Sequence, residues 1–302
     1  MDTPRDSLGE SVRVSNSSPP TLLLNVSKVA FRWEISYYKE LKFKEENTMS
    51  FYYGEQNTNQ IAEAIKKNSV IILPIGTTEE HGAHLPTETD AIIAKYAGDQ
   101  LGKACQEAGI PALVMRTIYY GFSMGIVRKW PGCPNIDTRT FMDYIYSIID
   151  SLINEGFRKI ILLDCHGNHD SLLRTVMREI VDTHNVYIMT LKPLGLASKT
   201  YNELKKDPEG DIHGGEYETS CILHIAPELV DTSAYTNVDA IRCNTILRGP
   251  VSTWGLQETK TGLFGDPTYA TAELGKACLE AATVEGLRYI KAYYEHNEQS
   301  EV

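Results

Sequence analysis

Val70-Ile71-Ile72-Leu73-Pro74-Ile75 is an unbroken apolar run rich in β-branched residues. Such a run predicts a strand buried on both faces. Reading outward from it, Ile61-Ala62-Glu63-Ala64-Ile65 reads as a helix turn packing its apolar face, and Thr89-Asp90 opens a helix through about Ala108. Further strands are expected at Ala112–Met115, Lys159–Asp164 and Val186–Leu191. Between them, Phe141, Ile145, Ile149 and Leu152 recur at helical spacing, and residues 169–183 form another helix. Glu216 to His224 reads as helix. The last long helix follows Gly265-Asp266-Pro267, where Asp can cap and Pro suits the first turn. Strands alternating with helices imply right-handed crossovers and an α/β fold with a mainly parallel sheet.

The chain has 302 residues, 42% hydrophobic and 23% charged, which fits a globular protein with a sizeable core and excludes a disordered or fibrous one. Net charge is -11, and no Lys/Arg cluster suggests a nucleic-acid-binding face. No apolar run reaches membrane-spanning length. The six cysteines are scattered and form no CxxC pair, so reduced thiols in a cytoplasmic protein are expected. Residues 1–50 lack the strand–helix alternation and carry no convincing secretory signal. They read as a flexible N-terminal extension, and Met49 is a candidate start.

In open α/β sheets, ligands sit outside the carboxyl ends of the strands. Strand 70–75 leads into Gly76-Thr77-Thr78-Glu79-Glu80-His81-Gly82-Ala83-His84-Leu85-Pro86, and Asp90 returns at a helix start. In an extended chain Glu79 and His81 face the same side. Strand 159–164 leads into Cys165-His166-Gly167-Asn168-His169-Asp170, and a later segment reads Asp211-Ile212-His213-Gly214-Gly215-Glu216-Tyr217-Glu218-Thr219-Ser220. Each delivers His plus carboxylate, with glycines that let the backbone turn tightly. Imidazole with carboxylate suits Zn, Mn or Fe. A carboxylate such as Asp90 can bridge two ions, which can share a hydroxide and polarise a carbonyl. The bland alternatives are a solvated loop at Glu79-Glu80-His81, a helix-capping His166 and a surface His213. None of these segments has a standard ligand spacing such as HExxH.

Taken together, these segments resemble the creatininase family of amidohydrolases. The family's first signature is approximately G-[ST]-x-E-Q-H-G-P-H-L-P with an Asp nine residues past its first His, which residues 76–86 and Asp90 match closely. Asp164–His169 stands where the family reads N-G-H-G-x-N, and His213–Ser220 where it reads H-A-G-E-x-E-T-S. Gly262-Leu263-Phe264-Gly265-Asp266-Pro267 looks like the family's G-V-x-G-D-P. The resemblance runs from about residue 55 to 290.

The resemblance implies a three-layer fold with a central, mostly parallel sheet flanked by helices, in a single domain over 51–298. It also implies homo-oligomers, commonly hexamers, and two divalent metal ions, Zn with a second Zn, Mn or Fe. Carried over, one ion takes Glu79, Asp90 and His166. The other takes His81, Asp90 and a further carboxylate, assigned to Glu218 with Glu216 as its rival. His213 is the candidate proton shuttle, and Glu216 is kept as a catalytic candidate beside it.

The chain departs from the family at Gly121–Ile126, which lacks an acidic-His pair. It departs again at Trp130-Pro131-Gly132-Cys133, which replaces F-P-G-T, and at Asp164-Cys165, which replaces Asn-Gly. Creatinine itself is therefore not the expected substrate. The expected activity is metal-dependent hydrolysis of a small, cyclic amide C–N bond by a metal-bridging hydroxide. The rivals are a ring-opening C–C hydrolase acting on an oxidised inositol and a non-catalytic metal-binding protein.

Overall fold

The computed structural model describes residues 50–208, 213–235 and 259–296. The expectation of a flexible extension over residues 1–50 therefore lies, apart from Ser50, outside the described residues, as does Asp211-Ile212.

Among the described residues, four parallel strands form the sheet: β1 (Val70–Ile75), β2 (Ala112–Val114), β3 (Lys159–Asp164) and β4 (Ile188–Leu191), in the order β2-β1-β3-β4. The helices are α1 (Thr58–Lys66), α2 (Thr89–Glu107), α3 (Thr138–Glu155), α4 (Asp170–His184), the short α5 (Pro193–Leu196) and α6 (Ser198–Leu204), α7 (Glu216–Ile225) and α8 (Ala272–Glu295). All six residues of β1 and all six of β3 are buried, as an unbroken apolar run requires.

Strand alternation divides the core into two layers. Ile71, Leu73 and Ile75 join Ile160 and Leu162 beneath Phe141, Ile145 and Ile149 of α3 and Val176 and Ile180 of α4. Val70 and Ile72 join Ile161 and Leu163 on the opposite face, against Ala97 and Leu101 of α2 and Ile290 and Tyr293 of α8.

Two local readings differ from expectation. Asp266 does not open the last long helix. Its Oδ1 accepts the Thr268 N–H (2.9 Å) and caps a separate 3-10 turn, Pro267–Tyr269. The long helix starts afresh at Thr271, whose hydroxyl accepts the Leu274 N–H. The last strand is shorter than the apolar run, beginning at Ile188.

The topology sets the site. From β1 the chain crosses to β2 on one flank, then to β3 on the other, so the order reverses between β1 and β3. Ile75 pairs with Asp164, and the Cys165 N–H donates to the Ile75 carbonyl. The two strands thus end level, and the segments after them open into one crevice, where α/β sheets place ligands.

Candidate metal centre

Close backbone approach brings the first segment onto the start of α2. A Cβ on Gly76 would lie 2.5 Å from the backbone of Ala91, so only glycine lets that helix pack against the strand end. The Glu79 N–H donates to the Thr87 carbonyl, and the Thr78 hydroxyl donates to Tyr119 O, which fixes the loop. Asp90 stands in the first turn of α2, with its carboxylate turned into the crevice instead of capping the helix.

There the side chains converge. Asp90 Oδ2 is 2.9 Å from His166 Nδ1, and Asp90 Oδ1 is 3.5 Å from His81 Nε2. Glu79 Oε1 lies 3.4 Å from His166 Nδ1 and 3.5 Å from His213 Nδ1. Glu218 Oε2 lies 3.7 Å from His81 Nε2 and accepts the Gly214 N–H. Among the described residues, three groups have donor atoms all within 4.8 Å of one another: Glu79, Asp90 and His166; His81, Asp90 and Glu218; and Glu79, His81 and His213. Asp90 belongs to the first two. Glu79, His81, Asp90, His166 and His213 are all buried, so the solvated loop and the surface histidine are overturned. His166 makes no side-chain cap to the turn that follows it.

Glu216 stands apart from these groups. Although fully buried, its two carboxylate oxygens accept the backbone N–H groups of Lys206 and Asp207. It anchors the chain before α7, whereas Glu218 is the carboxylate that lies beside His81.

The electrostatics call for a cation. Both Glu79 oxygens, Asp90 Oδ2, His81 Nε2 and His166 Nε2 are buried without a hydrogen-bond partner. Unpaired buried charge is costly unless a counter-charge or metal meets it. Burial opposes charge on His81, but Asp90, Glu218 and Glu79 outweigh it and raise the imidazole to about 10. His166 rises to about 9 against the same opposition, through Glu79 and Asp90. His213 also reaches about 9, where burial and His81 are overcome by Glu80 and Glu79. Asp90 is buried too, yet His166 and His81 hold it well below the usual carboxylate range. His81 Nδ1 sits 3.1 Å from the Glu79 carbonyl, an acceptor only, so Nδ1 carries a hydrogen and Nε2 is the nitrogen turned toward Asp90 and Glu218, free to ligate an ion when its own proton is released. The donor set and its unpartnered atoms fit divalent metal.

A cavity of about 120 Å³ borders His166 and Glu218, with Asp164, Cys165, Lys192 and Tyr217 in its wall. Several groups around it were missed in the sequence. Asp164 Oδ1 accepts the His166 N–H and faces His169 Nδ1 at 3.1 Å, while His169 Nε2 accepts the Phe122 N–H. Lys192 Nζ lies 3.5 Å from Asp164 Oδ2 and 3.2 Å from Asp170 Oδ1. Lys192 directly follows β4, so reading that strand end as the others were read would have found it. His84 is a different case. Burial and the nearby His81 push it down to about 4, and its Nε2 bonds Thr219 Oγ1 of α7. It is a neutral strut.

The chain is similar to known proteins over most of its length. It is 27% identical over 263 residues to a 3-dehydro-scyllo-inosose hydrolase of Thermotoga maritima, covering 78% of this chain and 81% of that protein. It is 26% identical over 247 residues to a mycofactocin precursor peptide peptidase of Mycobacterium tuberculosis, covering 78% and 90%. A solved creatininase in a Mn form shares the fold with a TM-score of 0.69, at 22% identity, covering 82% of this chain and all of that one. The family profile described as creatinine amidohydrolase matches residues 54–290. With that match spanning most of the chain and its motifs gathered at one crevice, the protein belongs to the creatininase family of metal-dependent hydrolases.

Proposed function

We propose that this creatininase-family hydrolase cleaves the C–N bond of a small cyclic amide, using two divalent ions, Zn with a second Zn, Mn or Fe. The observation that carries the reading is Asp90, which turns one oxygen toward each of two ligand groups. Glu79, Asp90 and His166 hold one ion, and His81, Asp90 and Glu218 the other. When bound, such ions polarise a carbonyl and lower the pKa of water.

The remaining steps fall to the chain's own residues. His213 Nε2 donates to the Glu80 carbonyl at 2.7 Å, which leaves Nδ1, facing Glu79, as the nitrogen that carries a proton to the leaving group. Glu216 takes no part in proton transfer, being committed to two backbone N–H groups. The cavity's size supports a small substrate: a dry cavity of about 150 Å³ holds one benzene ring, and this one is about 120 Å³.

A second reading, hydrolytic C–C opening of an oxidised inositol, is favoured by the similarity to the Thermotoga protein. It keeps the same ligands and needs hydroxyl-binding groups in the cavity wall.

The reading includes a homo-oligomer, hexameric by family, with a small-molecule substrate and neither nucleic acid nor membrane as partner. It also places the protein in the cytoplasm and treats residues 51–298 as one domain. The five described cysteines are free thiols, and no described helix is long and apolar enough to cross a membrane. Elemental analysis of the purified protein, coupled to a hydrolysis screen of cyclic amides, formamides and inososes, tests the proposal. Bound metal with no turnover on any of them would refute it in favour of a non-catalytic metal-binding role.

A further inference from the structure

The wall of the 120 Å³ cavity contains one Lys or Arg among the described residues, Lys192. The same residue lines a wider groove of about 870 Å³, and among the described residues it alone borders both spaces. It therefore stands between them, with its side chain about one-third exposed.

Its partners define what it can recognise. Asp164 is fully buried, and its Oδ2 has no hydrogen-bond partner, so the ammonium 3.5 Å away is the positive charge nearest to it. Asp170, 3.2 Å away, is a second carboxylate on the same ammonium. Asp170 also pairs with Arg174 at 3.0 Å, so two carboxylates match two cations and leave no net positive charge beside Lys192. An anionic group arriving here would find the charge of Lys192 already matched and would gain no net attraction. A hydroxyl or carbonyl oxygen can accept the remaining Nζ–H without displacing either carboxylate.

We propose that Lys192 is a specificity-determining residue that donates to a hydroxyl or carbonyl oxygen of an uncharged ring compound, its charge being already matched by Asp164 and Asp170 so that an anion gains nothing there. The proposal rests on reading this cavity as the substrate site of the hydrolase, and it narrows the substrate class within that reading.

The test is calorimetric titration of the full chain loaded with Zn²⁺. The probes are myo-inositol and succinimide, both uncharged rings, and succinate, an anion of similar size. Lys192→Met keeps the aliphatic stem and removes the donor. At least one uncharged probe is expected to bind the wild type and to weaken roughly tenfold in Lys192→Met, the scale of one lost hydrogen bond. Lys192→Arg is expected to recover part of that loss, and Zn content is expected to be unchanged. Equal binding in Lys192→Met, preference for succinate, or no binding of either uncharged probe overturns the proposal. If Lys192→Met fails to fold because Asp164 loses its counter-charge, Asp164→Asn/Lys192→Met removes that charge and carries the same comparison. Zn content and turnover on the same preparations judge the hydrolase reading separately: absent Zn or absent turnover counts against that reading, while the titrations alone judge Lys192.

Discussion

Replacing Asp90 by Ala is the sharpest test of the two-ion reading. Asp90 is buried and is common to two of the ligand groups. An ion held among donor atoms lying within 4.8 Å of one another has this carboxylate within about 4 Å. One unit charge opposite another at about 4 Å is worth about 4 kcal/mol at an effective dielectric of about 20, roughly a thousandfold in affinity. A divalent ion feels at least that much, and each group also loses a coordinating oxygen. Asp90→Ala is therefore expected to weaken both ions by three orders of magnitude or more and to emerge from dialysis with neither. His81→Ala removes a neutral ligand from the group containing Glu218 and leaves Glu79, Asp90 and His166 intact, so it is expected to lose mainly one ion. Elemental analysis after dialysis, with titration calorimetry for the affinities, reads both variants. Full metal content in Asp90→Ala would refute the shared-carboxylate assignment, and loss of one ion only would show that Asp90 serves a single group.

Other perturbations separate the remaining roles. His213→Ala is expected to keep both ions while turnover falls roughly 10²–10⁴-fold; lost metal would make His213 a ligand, and unchanged turnover would remove it from the chemistry. In chelator-treated protein, His81, His166 and His213 are raised to about 10, 9 and 9, above the ordinary imidazole value. Their protonation therefore stabilises the fold fully below about pH 6.5, and the contribution is lost as pH rises through 9 to 10. The melting temperature of that protein should drop across this window, and a flat profile would contradict the electrostatics. A chain beginning at Met49 is expected to fold and retain metal; insolubility or lost metal would show that residues 1–48 support the domain.

Much of the fold was legible because β1 and β3 are buried on both faces. A strand covered twice leaves an uninterrupted apolar run, and its period-2 pattern then sorts Ile71, Leu73 and Ile75 to one helix layer and Val70 and Ile72 to the other. Glu79, His81, Asp90, His166 and Glu218 were legible as ligand candidates because they sit just past strand ends or at helix starts. Their convergence was not, since it depends on β1 and β3 ending level, a matter of register. The placement of Glu216 was not legible for a related reason. Nothing in Glu216-Tyr217-Glu218 says which carboxylate faces inward, whereas the fold gives Glu216 two backbone donors and leaves Glu218 beside His81.

The departures at Asp164 and His169 acquire a common cause once the crevice is assembled. A carboxylate at Asp164, fully buried, demands positive charge or donors from its surroundings. The imidazole of His169 supplies one donor at Oδ1, the His166 N–H supplies another, and Lys192 supplies charge at Oδ2. The same imidazole accepts the Phe122 N–H through Nε2, which fixes the Nδ1–H tautomer and ties Phe122 to the end of β3. One buried carboxylate thus fixes the backbone of the candidate ligand His166 and, through His169, the segment at 121–126 where the family motif is lost. Changing Asp164 alone would disturb both connections. Because Lys192 borders the cavity beside His166 and Glu218, the charge arrangement that stabilises this wall also faces the space between the candidate ligands.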